Sequence, residues 1–123
     1  MPALNFQSRF AGDIVCGCKR QTIRATRKRP IKAGDTLYLY MGQRQPGAAL
    51  LRTVKCRSVA EIKIALSGPD RGIVVNGVWL FQRERLRLAK RDGFGTVNNL
   101  VEFFVKTHGL RPGKPFLGQV IRW

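Results

Sequence analysis

Acidic residues are scarce in this chain. Seven Asp and Glu stand against 23 Lys and Arg over 123 residues, a formal net charge of +16. A folded chain with that imbalance repels itself, and the usual relief is a polyanionic partner. Cysteine is scarce as well: Cys16, Cys18 and Cys56. An odd number without a secretory leader argues against a disulfide framework. Cys16-Gly17-Cys18 is a C-x-C, not the C-x-x-C of zinc ribbons, and His108 is the single histidine. A four-ligand zinc site is therefore not expected. No apolar run approaches the roughly 20 residues that span a bilayer. The opening MPALNFQSRFAGD lacks a basic start followed by an apolar core. The expectation is a soluble, cytoplasmic protein with neither membrane nor metal among its partners.

What is present is enough for one core. The chain is 44% hydrophobic, a globular proportion, and its length suits a single domain over residues 1–123. Ala3–Phe6 reads as a short strand. A short helix follows, with Ser8 as its cap, Phe10 and Ile14 on one face and Gly17 at its end. RQTIRAT and TLYLYMGQR read as strands, separated by a turn at Lys32–Asp35. GAALLRTVKCRSVAEIKI is one long strand signal, with Val54, Cys56 and Ser58 on one face and Lys55 and Arg57 on the other. SGPDRG is a loop. IVVNGVWL is a hairpin turning on Asn76-Gly77. FQRERLRLAKRDG is a basic helix ended by Gly93. TVNNLVEFFVKTHG is an amphipathic helix capped by Thr96 and stopped by Gly109, with Val97, Leu100, Val101, Phe104 and Val105 on its apolar face. KPFLGQVIRW closes as a strand. This order predicts an α+β fold: a small β-barrel of about five or six strands with two or three helices over its openings.

The cations fall in clusters. Arg20, Arg24, Arg27, Lys28 and Arg29 crowd the stretch from Val15 to Asp35. Arg83, Arg87, Lys90 and Arg91 recur at spacings of three and four on one helix. Both clusters are candidate phosphate contacts or solvated faces. No RNP-type aromatic motif accompanies them, so any RNA is expected to be read by shape or as single strands.

Several segments in order resemble the ASCH domain, a branch of the PUA-like β-barrels. They are FQSRFAGDIVCGCKRQTIR, KAGDTLYLYMGQR and LAKRDGFGTVNNLVEFFVKTHGL with FLGQVIRW. They carry an aromatic-Arg start, a G-x-K-x-x-T-I-R site, a G-D-x-L turn, a D-G-F before the long helix and a closing Arg-Trp. The resemblance covers all but about Leu66–Val78. It implies a barrel with a cleft on the K-x-x-T-I-R strand and a role in RNA binding. It also relates the chain to small hydrolases of N4-acetylcytidine and to ASCH ribonucleases. In the hydrolase branch a Lys and a Thr three apart act with a distant acid. By motif these fall on Lys19, Thr22 and Asp92, where that branch has Glu. The ribonuclease pattern matches at Lys19, without a convincing later Ser.

Chemistry at these positions has physical requirements. Thr22 offers a hydroxyl that needs a base, and Lys19 becomes one only if burial and neighbouring cations lower its pKa. Arg24 shares the strand face of Thr22 and can hold a phosphate or carbonyl oxygen. Residues three apart on a regular strand face opposite ways, so Lys19 is expected at the helix-to-strand turn. Arg9 is expected either to line the site or to pair with Asp13. Tyr38 and Tyr40 are expected as packing residues, and His108 as a cap of the helix C-terminus. The expected partner is RNA, a nucleotide or a nucleoside. No cofactor is implied, and the sequence sets no oligomeric state. RNA or nucleotide binding leads. Amide hydrolysis at Lys19, Thr22 and Asp92 is the alternative, with RNA cleavage in the same cleft the third possibility.

Overall fold

A computed structural model of the chain describes residues 2–42, 48–69 and 71–123. Gln43, Arg44 and Gly47, at the ends of two expected strands, and Asp70, in the expected loop, lie outside the described residues. The chain is α+β. Its order is β1 (Ala3–Phe6), α1 (Ser8–Val15), β2 (Gln21–Ala25), β3 (Thr36–Met41), β4 (Ala49–Lys55), β5 (Ser58–Ala65), β6 (Gly72–Val75), β7 (Val78–Trp79), α2 (Gln82–Arg91), α3 (Val97–His108) and β8 (Phe116–Arg122).

The strands form a three-stranded sheet, β1-β3-β4, and a five-stranded sheet, β2-β8-β5-β6-β7. No ladder among the described residues joins the two, so they do not close into a barrel. The reason lies at Cys56-Arg57. The long strand signal breaks there, and the chain crosses from one sheet to the other in two residues instead of as one bent strand. Cys56 donates to Asp35 O (2.8 Å) and accepts from Gly34 N (2.8 Å) on the side of the first sheet. Arg57 N donates to Arg122 O (2.7 Å) in the second. This break and the separate hairpin arms raise the strand count to eight.

Alternation sets the buried faces. Leu37 and Leu39 of β3 are fully buried, which leaves Tyr38 and Tyr40 half-buried on the opposite face and not in the core. Ile62, Ile64 and Val120 share one face of the larger sheet and Ile121 lies on the other; all four are buried in one cluster with Leu4, Ile14, Leu100 and Phe104. Gln119 ties the loop before β3 to this core: it donates to Ile31 O (3.0 Å) and accepts from Ile31 N (3.3 Å). Asn76 (φ 48°) and Gly77 (φ 78°) make the hairpin turn between β6 and β7.

The helices depart from expectation in detail. Gln7, not Ser8, precedes α1, and no side chain caps it. Thr96 does cap α3, accepting from Asn99 N (3.1 Å). Leu100 and Phe104 are buried, but Val105 is 41% exposed and Phe103 packs on the core instead. Steps of three from Leu100 and Val97 lead to Phe103, and its larger ring fills that side of the stripe.

Candidate functional site

Lys19 lies in the turn between α1 and β2, where its amide donates to Asp13 O (2.9 Å) and closes the helix end. The regular strand begins at Gln21. Lys19 is therefore free of the strand alternation, and its side chain can share a cavity with those of Thr22 and Arg24. That cavity, of about 210 Å³, is lined by Lys19, Thr22, Arg24 and Asp92, with Asn5 and His108. Phe6, Phe10, Phe94 and Phe103 supply its apolar wall.

Asp92 comes from the other end of the sequence. It is the C-cap of α2, directly before Gly93, so one residue both ends a helix and enters the cavity. Lys19 Nζ hydrogen-bonds Asp92 O and lies 3.8 Å from Asp92 Oδ1. Gln21, fully buried, donates from Nε2 to Asp92 Oδ1 (3.2 Å) and Leu88 O (3.2 Å). Gly93 has φ 96°, and a Cβ there would lie 2.8 Å from Phe10 Cε1. Only glycine lets α2 end this close to α1.

Burial dominates the electrostatics. Lys19 is 3% exposed, and loss of hydration pulls its pKa down to about 8 despite the pull of Asp92 the other way. The same burial pushes the Asp92 carboxyl up against Lys19, Gln21 and Arg24. Arg24 falls to about 10, again chiefly through burial. Its Nε donates to Thr22 Oγ1 (3.0 Å), its Nη2 to Asn5 O (2.7 Å), and its guanidinium lies 4.6 Å from the Phe6 ring centroid. The Thr22 oxygen is thus held by a cation, and among the described residues its own hydrogen has no acceptor.

Other expected residues fall elsewhere. Arg9 does not pair with Asp13. It lies over the rings of Phe10 (4.5 Å), Phe94 (5.3 Å) and Phe103 (5.7 Å), whose faces attract a cation. Arg27 donates to Ala3 O (2.8 Å) and, with Lys28 and Arg29, borders a separate open depression. Arg20 and Arg91 line a third cavity. Arg83, Arg87 and Lys90 are exposed along α2. Cys16 and Cys18, not expected as metal ligands, meet Asp13: one donor atom of each lies within 4.8 Å of the others on an exposed turn.

Sequence reasoning misses some of the lining. Asn5 and His108 carry no local signal and enter only because β1 and the end of α3 border β2. The His108 ring stacks on Phe104 (5.1 Å, 23°), and burial and then Arg24 lower its pKa. It also misses the exposed aromatic pair Trp79 and Phe81, with ring centroids 5.0 Å apart. Trp79 ends β7 at the sheet edge and Phe81 is the N-cap of α2, and they are left 41% and 69% exposed. Arg85 lies 4.5 Å over the Trp79 ring.

No family model, curated protein or solved structure matches the chain.

Proposed function

We propose that the protein binds RNA or a nucleotide in the manner of the ASCH domains it resembles in sequence, with one nucleobase held in the cavity at Lys19. The observation that carries this reading is the cavity: phenylalanine walls, a cationic and carboxylate end, and only about 210 Å³ of room. That is smaller than a drug-sized pocket and suits one flat heterocycle. The rings offer stacking surface, and Lys19, Arg24 and Asp92 offer donors and an acceptor to a base edge. The +16 charge supplies backbone attraction along the surface. Trp79 and Phe81, flanked by Arg83, Arg85 and Arg87, add an exposed place where a second unpaired base can stack.

A second reading is favoured by one specific feature, the lowered pKa of a buried lysine beside a held hydroxyl. In amide hydrolysis of an N4-acetylcytidine-like substrate, Thr22 Oγ would bond to the acyl carbon and pass its proton to neutral Lys19. Arg24 would face the oxyanion. Lys19 would return the proton as the C–N bond breaks, and water would then cleave the acyl-threonine ester to acetate. Asp92 orients the amine throughout.

One experiment separates these. The protein is incubated with N4-acetylcytidine and, separately, with end-labelled single-stranded RNA. The expected result is salt-sensitive retention of intact RNA, weakened in Arg24→Gln. Cytidine appearing with wild type but not with Thr22→Val selects the hydrolase. RNA shortened by wild type but not by Lys19→Met selects a nuclease. No retention and no product would sink all three.

A further inference from the structure

The cavity that Arg20 and Arg91 line lies where the end of α2 meets the larger sheet. It measures about 500 Å³ and is lined by Arg20, Arg57, Arg91 and Arg122, with Ser58 and Trp123. The fold assembles it by register. Ser58 of β5 pairs with Arg122 of β8, and Arg122 pairs with Gln21 of β2. Directly opposed residues of antiparallel strands share a face, so a hydroxyl, a guanidinium and an amide stand in one row. Arg57 and Arg20 flank that row. Their backbones are tied to its ends, Arg57 N to Arg122 O (2.7 Å) and Trp123 N to Arg20 O (3.1 Å).

Four guanidinium groups share this space with no acidic side chain lining it. Among the described residues no carboxylate, the terminal one included, comes within 4.0 Å of any of them. Arg91 has a structural explanation in the last turn of α2, where a cation complements the helix dipole. Arg57 and Arg122 have no such complement to their charge. Burial and then the neighbouring Arg91 lower the pKa of Arg122. Trp123 is 6% exposed, and its indole N–H is buried without a hydrogen-bond partner. Like charges gathered without a counter-charge cost stability, and an anion with several acceptor oxygens relieves that cost.

We propose that this cavity is a phosphate-binding site, taking the phosphate of a mono- or diester between Arg57, Arg91 and Arg122. The site is distinct from the Lys19 cavity and does not depend on a base being bound there. Gln21 connects the two, since its Nε2 donates to Asp92 while its Oε1 accepts from Arg122 Nε (3.2 Å).

The test uses pyrophosphate as the probe, at constant ionic strength. Trp79→Phe leaves Trp123 as the only tryptophan, so its fluorescence reports on the cavity itself. A saturable fluorescence change is expected, shifted about tenfold or more to higher concentration in Arg57→Gln and in Arg91→Gln, each of which removes a charge-assisted bond. Both residues are exposed, so folding survives; far-UV circular dichroism verifies it. Arg111→Gln, at an exposed residue that does not line the cavity, should leave the titration unchanged. No saturable change, or equal affinity in wild type, Arg57→Gln and Arg91→Gln, overturns the proposal. Cytidine 5′-monophosphate and a single-stranded oligonucleotide then identify the source. Loss in Arg57→Gln for both assigns a free nucleotide's phosphate, and loss for the oligonucleotide alone assigns the RNA backbone. Because pyrophosphate carries no base, failure here leaves the Lys19 reading standing, and the reverse also holds.

Discussion

Lys19 and Asp92 stand 73 positions apart in the sequence, yet the Lys19 ammonium touches the backbone oxygen of Asp92 and lies 3.8 Å from its carboxylate. Both are buried. Removing one member strands the other in a poorly hydrated place. Asp92→Ala is expected to lower stability by about 3–5 kcal/mol. The double variant Lys19→Met/Asp92→Leu should cost clearly less than the two single changes summed. Urea unfolding in a double-mutant cycle measures this, and strict additivity would remove the pair from the account of stability.

The titration of Lys19 sets a pH dependence. Its folded pKa of about 8 lies below its ordinary 10.5. Between those values the unfolded chain binds more protons than the folded one, so stability rises with pH across that window. Below about 8 the folded state carries the penalty of a buried charge, on the order of 3 kcal/mol. Wild type should therefore gain on Lys19→Met between about pH 7 and about pH 10 in paired unfolding experiments. Asp92, raised by burial, acts with the opposite sign near the acid end of the range, where stability falls as pH rises past its ordinary 3.8. An unchanged difference between the two proteins would refute the Lys19 assignment.

Gly93→Ala should damage the site from outside it. The new Cβ meets Phe10 at 2.8 Å in a left-handed backbone. Left-handed strain and overpacking together are expected to cost about 2–4 kcal/mol. A matched loss of ligand retention by the surviving folded fraction would show that α1 and α2 had been pushed apart. Wild-type stability would mean that Phe10 moves freely.

The α2 face makes a prediction about salt. Arg83 and Arg87 are exposed. Replacing each with Gln should flatten the log–log salt slope of single-stranded RNA retention by about 0.7 for every phosphate that the arginine neutralises. Phe81→Ala should weaken retention at every salt concentration, by about 1–3 kcal/mol if a base stacks there. It should barely alter the slope, because it removes no charge. Filter binding over a salt series distinguishes the two effects.

Much of the fold is legible in the sequence because its signals are local. Asn76-Gly77, the Thr96 cap and the alternation in TLYLYM each act over a few residues and fix their own elements. Lys19 and Thr22 are legible for the same reason, being three apart in one stretch. The break at Cys56-Arg57 is not, since alternation runs on through it and only pairing to two different sheets reveals it. Arg57, Arg122, Asn5 and His108 give no signal, because only the pairing of distant strands and the packing of the end of α3 bring them to their cavities. Trp79 and Phe81 mislead for the opposite reason: their apolar character is clear, but whether anything covers them depends on where the sheet ends.

Strand β8 lies between β2 and β5, although it is the last element in the order. Its hydrogen bond from Arg122 to Gln21 closes a span of 101 residues. A growing chain on the ribosome holds Lys19 and Thr22 early, but β2 and β5 have no common partner until Phe116–Arg122 have emerged. Long loop closures of this kind slow folding. Until that moment β2 has no partner strand and β5 is paired only with β6, so the larger sheet is completed last and from its middle.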